Sequence, residues 1–280
     1  MLLAPCAAFV AFALAALYLA HKIAHEAPPQ RALARLDVFY LLSGALYILI
    51  ARLPILFLSR DVQADEAQYA ANALIAKGGW LNWDNLDSGS SGPLQSMFQA
   101  WPLLYGGDIT FTTVHLTGVV LVCALAASLY AVLRLALDRL SALIFTAPVV
   151  LFMGGATYWE LVCTSSLLAP LTLVLLGVWA ALWLWRAGET PAAAPRRVCL
   201  EHAVALAAAF GLGLIAIIKP HVIPLGGYTG LALAIAYARA AGPAWPRRIG
   251  RVALAAAAAA APMALSVLGV LSTGRFEDFV

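Results

Sequence analysis

Eight long, nearly uninterrupted apolar runs divide this chain, near residues 2–20, 38–58, 111–134, 140–158, 161–185, 202–218, 222–238 and 252–272. A helix that crosses the hydrocarbon core of a bilayer needs about 20 such residues. In lipid it must pair its own backbone amides, which a helix does. Only 11% of the residues are charged and 63% are hydrophobic, whereas a soluble domain is about half apolar and about a quarter charged. The runs therefore predict an all-α, polytopic integral membrane protein with about eight transmembrane helices. Residues 1–280 read as a single transmembrane domain, with an extra N-terminal helix over 1–20 and a core over 38–272. The connector between 140–158 and 161–185 is very short, which makes that pair the hardest to separate.

Orientation follows from the loop cations, because Lys and Arg accumulate on the cytoplasmic side. One set of connectors carries twelve: Lys22, Arg31, Arg35, Arg134, Arg139, Arg186, Arg196, Arg197, Arg239, Arg247, Arg248 and Arg251. The other set carries four, Arg60, Lys77, Lys219 and Arg275, and Arg52 falls inside a span. Both termini are then expected outside. The first span has no positive residues ahead of it, which argues for a retained helix rather than a cleaved signal peptide. An arginine-rich, alanine-rich composition fits a bacterial source and hence an inner (plasma) membrane location. Cys6, Cys123, Cys163 and Cys199 show no metal-ligand spacing and read as small buried hydrophobes. Nothing in the pattern points to a nucleic-acid partner.

One connector breaks the monotony. Residues 59–110 form a loop of some fifty residues on the outer side, and loops beyond about 15 residues are usually functional or disordered. Within it, "DEAQYAANALIAK" sets Ala67, Ala70, Ala71, Leu74 and Ile75 at helical spacing, which predicts an amphipathic helix lying on the membrane surface. Asp65, with Gln68 three residues on, matches a capping box, and Gly78-Gly79 would end the helix. A second short helix is expected from Pro93 to about Tyr105, with Pro93 in its first turn. The flexible "WLNWDNLDSGSSG" turn lies between them. Ionisable residues within the spans are few, and Arg52, Glu160 and Lys219 all fall near outer helix ends, so the polar chemistry is expected to gather on the outer side. A coupled transporter or lipid flippase would instead place charges near the midplane and repeat its hydropathy pattern. Neither is visible.

An apolar span followed by "ADEAQYA", a Gly-Gly-Trp segment, a Gly-Pro-Leu turn and a second short helix resembles the GT-C membrane glycosyltransferases. The protein O-mannosyltransferase and aminoarabinose transferase relatives are the nearest groups, and the resemblance covers roughly 38–240. It implies transfer of a sugar from a polyprenyl-phosphate-linked donor to a lipid, glycan or protein acceptor at the periplasmic face of the membrane. The family's acidic pair and following tyrosine correspond to Asp65, Glu66 and Tyr69. Many relatives carry Lys-Pro-Pro-Leu where this chain has Ser91-Gly92-Pro93-Leu94, and Glu160 is the nearest match to their second acidic position. Relatives are usually longer, so the C-terminal part of the family is expected to be absent, and a truncated or non-catalytic paralogue is the alternative reading.

On this reading Asp65 is the general base for the acceptor hydroxyl, and Glu66 orients it or helps to hold a divalent metal ion with His221. The plain alternative makes Asp65 a helix cap and Glu66 a charge favoured by the helix dipole. Lys219 meets the leaving lipid phosphate or merely snorkels to the interface. Arg52 joins it, or serves in a buried structural ion pair. Trp80 and Trp83 stack on sugar or prenyl faces or sit as interfacial aromatics. Asp84 and Asp87 reach acceptor hydroxyls or are solvated loop acids.

Overall fold

The computed structural model describes residues 35–57, 64–75, 92–155, 167–188 and 195–272. All regular structure among them is helical. The elements are α1 (Arg35–Phe57), α2 (Ala64–Ile75), α3 (Pro93–Met97), α4 (Phe111–Ala136), α5 (Arg139–Gly155), α6 (Leu168–Ala187), α7 (Pro195–Ile218), α8 (Ile223–Arg239) and α9 (Trp245–Ser272). Two 3-10 turns, Trp101–Tyr105 and Pro220–Val222, complete them. Six of these segments are long and apolar enough to cross a membrane: Arg35–Pro54, Phe111–Ala136, Leu168–Ala187, Arg197–Ile218, Pro220–Arg239 and Trp245–Ser272. The protein is a multi-pass membrane protein. The run expected at 140–158 forms a shorter apolar helix, and the run at 2–20 lies outside the described residues.

Two compact units are present. In the first, α1, α4 and α5 pack against one another. Along its length α1 is tied to α5 by polar contacts. Tyr40 Oη lies 2.8 Å from Thr146 Oγ1, Tyr47 Oη donates to Leu151 O at 3.0 Å, and Arg52 donates to Met153 O. Hydrogen bonds of this kind are the usual glue between membrane helices, where apolar contact with a neighbour gains little over contact with lipid.

In the second unit α7 packs against α8 and α9, and α6 joins them through Val174, Ala180, Ala181 and Leu184 in a core with Ala205, Ala209, Leu212 and Leu233. Small residues permit the close approach. A Cβ on Gly213 would lie 2.0 Å from Ala259 O, so the α7 and α9 backbones meet where only glycine fits.

The second short helix of the outer loop is broken. It runs as α3 from Pro93 to Met97 and resumes as a 3-10 turn from Trp101, with Pro102 near its start. Pro102 lacks the N–H that a continuing helix would use. The turn leaves Leu104 and Tyr105 exposed, as suits a membrane interface.

Candidate functional site

Helix α2, in the long connector between α1 and α4, forms where the sequence predicts, but it starts at Ala64, which puts Asp65 inside the first turn rather than ahead of it. The backbone of Asp65 and Glu66 belongs to that turn, and their side chains lie outside the described residues. Tyr69, Asn72 and Ala73 form the buried face of α2. The apolar stripe ending in Leu74 and Ile75 is turned outward, with both side chains about half exposed (50% and 51%). A helix with a protein-facing side and an exposed apolar side is suited to lie along a membrane surface.

The Gly-Pro-Leu turn is anchored by backbone alone. Gly92 N–H donates to Ile218 O at 2.8 Å, at the last residue of α7. A Cβ on Gly92 would lie 2.1 Å from Ile217 O and 2.5 Å from Ile217 C, so this approach requires glycine. The next residue after that carbonyl is Lys219, half-buried and extended (φ −148°, ψ 91°) at the break between α7 and the Pro220–Val222 turn. The structure thus brings together two features that are far apart in the chain: the Gly-Pro-Leu turn and the end of α7, where Lys219 follows.

Behind this turn lies an amide that no sequence signal marked. Gln95, in the first turn of α3, is completely buried, and neither its Oε1 nor its Nε2 has a hydrogen-bond partner among the described residues. Leaving a buried polar group unpaired costs about 1–3 kcal/mol. Such groups are few in a native fold. Ser96 and Gln99 are buried beside it in the chain, making this short stretch unusually polar for its burial.

The remaining candidates scatter. Arg52 is buried, and its Nε and Nη2 donate to Met153 O at 3.1 and 2.6 Å, in the last turn of α5. A terminal carbonyl has no partner within its helix, and a cation there suits the negative end of the dipole. His221 is exposed on its 3-10 turn. Trp80, Trp83, Asp84, Asp87 and Glu160 lie outside the described residues. Among the described residues no group of three or more His, Cys, Asp or Glu side chains is arranged to hold a metal ion. Of the cysteines, Cys199 is exposed and Cys123 half-buried, which corrects their reading as buried hydrophobes; Cys6 and Cys163 lie outside the described residues.

A larger correction concerns where the polar groups sit. The sequence reading gathers them on the outer side, yet each unit also buries an acid at its arginine-rich end. In the first unit Asp37 is fully buried and accepts from Tyr130 Oη at 2.6 Å, Arg134 Nε at 3.1 Å and Arg139 Nε at 3.2 Å. In the second, Glu201 pairs with Arg197 at 3.3 Å and Arg251 at 3.4 Å, while Arg251 Nη1 also donates to Tyr237 O at 3.1 Å. His202 Nδ1 is in hydrogen-bond contact with Tyr237 Oη. These acids escaped the sequence reading because each stands in the first turns of a span, beside arginines counted only as loop charge. The clusters join the starts of α1 and α5 to the end of α4, and the starts of α7 and α9 to the end of α8. The basic helix ends therefore meet within each unit.

Between α4 and α5, Asp138 caps the second helix. Its Oδ1 accepts from Ser141 N–H at 3.0 Å and its Oδ2 from Ser141 Oγ at 2.6 Å. The Ser141 side-chain bond, followed by the backbone one, holds this exposed carboxyl below its ordinary range.

No family model matches this chain, and neither the search of curated proteins nor that of solved structures finds a match.

Proposed function

We propose that the protein is a membrane glycosyltransferase that moves a sugar from a polyprenyl-phosphate donor to an acceptor on the outer, periplasmic face, with Asp65 as general base. The observation that carries this reading is the Gly92 turn, docked on the end of α7 immediately before Lys219. It gives the outer loop a fixed seat beside a cation, as a site for a lipid phosphate needs. The acidic pair in the first turn of α2 adds the base, and the membrane-spanning helices supply the surface at which a lipid-linked donor is presented.

In this reaction the acceptor hydroxyl oxygen attacks the anomeric carbon, and the bond from that carbon to the phosphate oxygen breaks. Asp65 takes the acceptor proton, and the electron pair leaves with polyprenyl phosphate, whose charge Lys219 stabilises. Positioned bases contribute about 10²–10⁴-fold, and fixed donors at developing charge about 10²–10³-fold. Glu66 orients Asp65, and Tyr69, buried on the same helix, anchors α2. No step is routed through a metal. Arg52 donates to the carbonyl of Met153 and so supports the end of α5.

The test is transfer by the purified full chain in liposomes, given polyprenyl-phosphate-linked hexose or pentose in one arm and nucleotide-linked sugars in the other. Transfer from the lipid-linked donors alone is expected. Transfer from nucleotide sugars, or from neither, would refute the assignment and leave a non-catalytic relative of the fold as the better reading.

A further inference from the structure

At the arginine-rich end of the second unit, opposite Lys219, the helices leave a groove. Between α8 and α9 a groove of about 490 Å³ is lined by Ile235, Ala238, Ile249, Val252 and Ala253, with Arg239, Trp245 and Arg248 also on its wall. Its apolar side is open: Ile235, Ile249 and Val252 are 52%, 62% and 42% exposed. The two cations are held rather than left to wander. Arg239 lies over the Trp185 ring, 3.9 Å from its centroid. Arg248 Nε donates to Gly242 O at 2.7 Å, and Gly242 accepts this bond from a left-handed turn (φ 78°) that favours glycine. The Nη groups of Arg248 have no hydrogen-bond partner among the described residues. Trp245 is 71% exposed, as suits an aromatic side chain at a membrane interface.

An apolar trough ending in fixed guanidinium groups matches one kind of occupant, an acyl chain carrying an anionic phosphate head. A zwitterionic lipid would gain less from the arginines, because its own ammonium offsets its phosphate, and a soluble anion would gain nothing from the trough. We propose that this α8–α9 groove binds an anionic phospholipid, one chain along Ile235, Ile249 and Val252 and the phosphate between Arg239 and Arg248. Basic pockets between membrane helices take anionic headgroups by the same physics. The site is independent of the transfer chemistry proposed for the outer side.

Native mass spectrometry of the full chain in neutral detergent tests this, with phosphatidylglycerol and phosphatidylcholine as probes. Phosphatidylglycerol should be retained at least tenfold better. Each arginine near an anionic surface is worth about a factor of five, so the Arg239→Gln/Arg248→Gln double variant should lose about 30-fold. Ala253→Phe, which fills the groove from an exposed helix face and so spares the fold, should lose retention with both arginines in place. Millimolar inorganic phosphate should not displace the lipid. Equal retention of the two lipids, full retention by Ala253→Phe, unchanged retention by a folded double variant, or displacement by inorganic phosphate would each overturn the proposal.

Discussion

Replacing Gly92 with alanine probes the seat of the outer loop with a single methyl group. The added Cβ would lie 2.1 Å from Ile217 O and 2.5 Å from Ile217 C, both main-chain atoms of α7 that cannot swing away as a side chain would. The turn must therefore withdraw, and the 2.8 Å bond from Gly92 N–H to Ile218 O goes with it. Overpacking of this kind costs about 1–3 kcal/mol, and the lost hydrogen bond adds about 0.5–1.5 kcal/mol. Together these come to roughly 2–4 kcal/mol, all of it local to the contact between the loop and the end of α7. The helices on either side keep their own packing, so global unfolding should change less than loop docking does. The informative assay pairs thermal unfolding with amide hydrogen exchange over residues 92–105 and sugar transfer in liposomes. Exchange over that stretch should speed up strongly, and transfer should fall by at least tenfold even where the protein stays folded. Wild-type exchange and wild-type transfer in Gly92→Ala would refute the claim that this contact seats the loop.

Other substitutions separate scaffold from site. Asp37→Ala leaves Arg134 and Arg139 without their shared buried acid and should cost about 3–5 kcal/mol, read as a fall in melting temperature. Arg52→Met removes a charge-assisted bond to Met153 O and should cost about 1.5–3 kcal/mol, with transfer by the folded fraction unchanged if Arg52 is scaffold alone. Asp138→Ala removes the cap of α5, worth about 1 kcal/mol. The pH dependence of that cap has a definite sign. Ser141 lowers the folded pKa of Asp138, so its stabilisation is complete above the unfolded carboxylate value of about 4 and is lost as pH falls through the lower folded one. The melting temperatures of wild type and Asp138→Ala should therefore converge below about pH 4 and stay apart above it.

Much of the scaffold is legible in the residues, because hydropathy is a local property. Helices α1, α4 and α6 to α9 all lie on apolar runs, and α2 on its periodic stripe. The break after Met97 is written in Pro102 but was masked by the helix-forming residues around it. Non-local partners are another matter. Nothing near Gly92 names Ile217 as its neighbour, and nothing near Asp37 announces that Arg134 and Arg139 will close on it. Nothing near Arg52 names Met153 O on α5 as the acceptor it meets. Gln95 shows the same limit from the other side: an amide in a loop reads as solvated, and only the fold reveals that it is buried without a partner among the described residues.

The most direct test of the proposed chemistry compares Asp65→Asn with wild type for release of polyprenyl phosphate from a polyprenyl-phosphate-linked sugar, using full-length protein in liposomes with acceptor present. Asparagine keeps the size of the residue but cannot take the acceptor's proton. The account predicts release by wild type and a loss of about 10²–10⁴-fold in Asp65→Asn, with thermal stability retained. Equal release by the two proteins would contradict it.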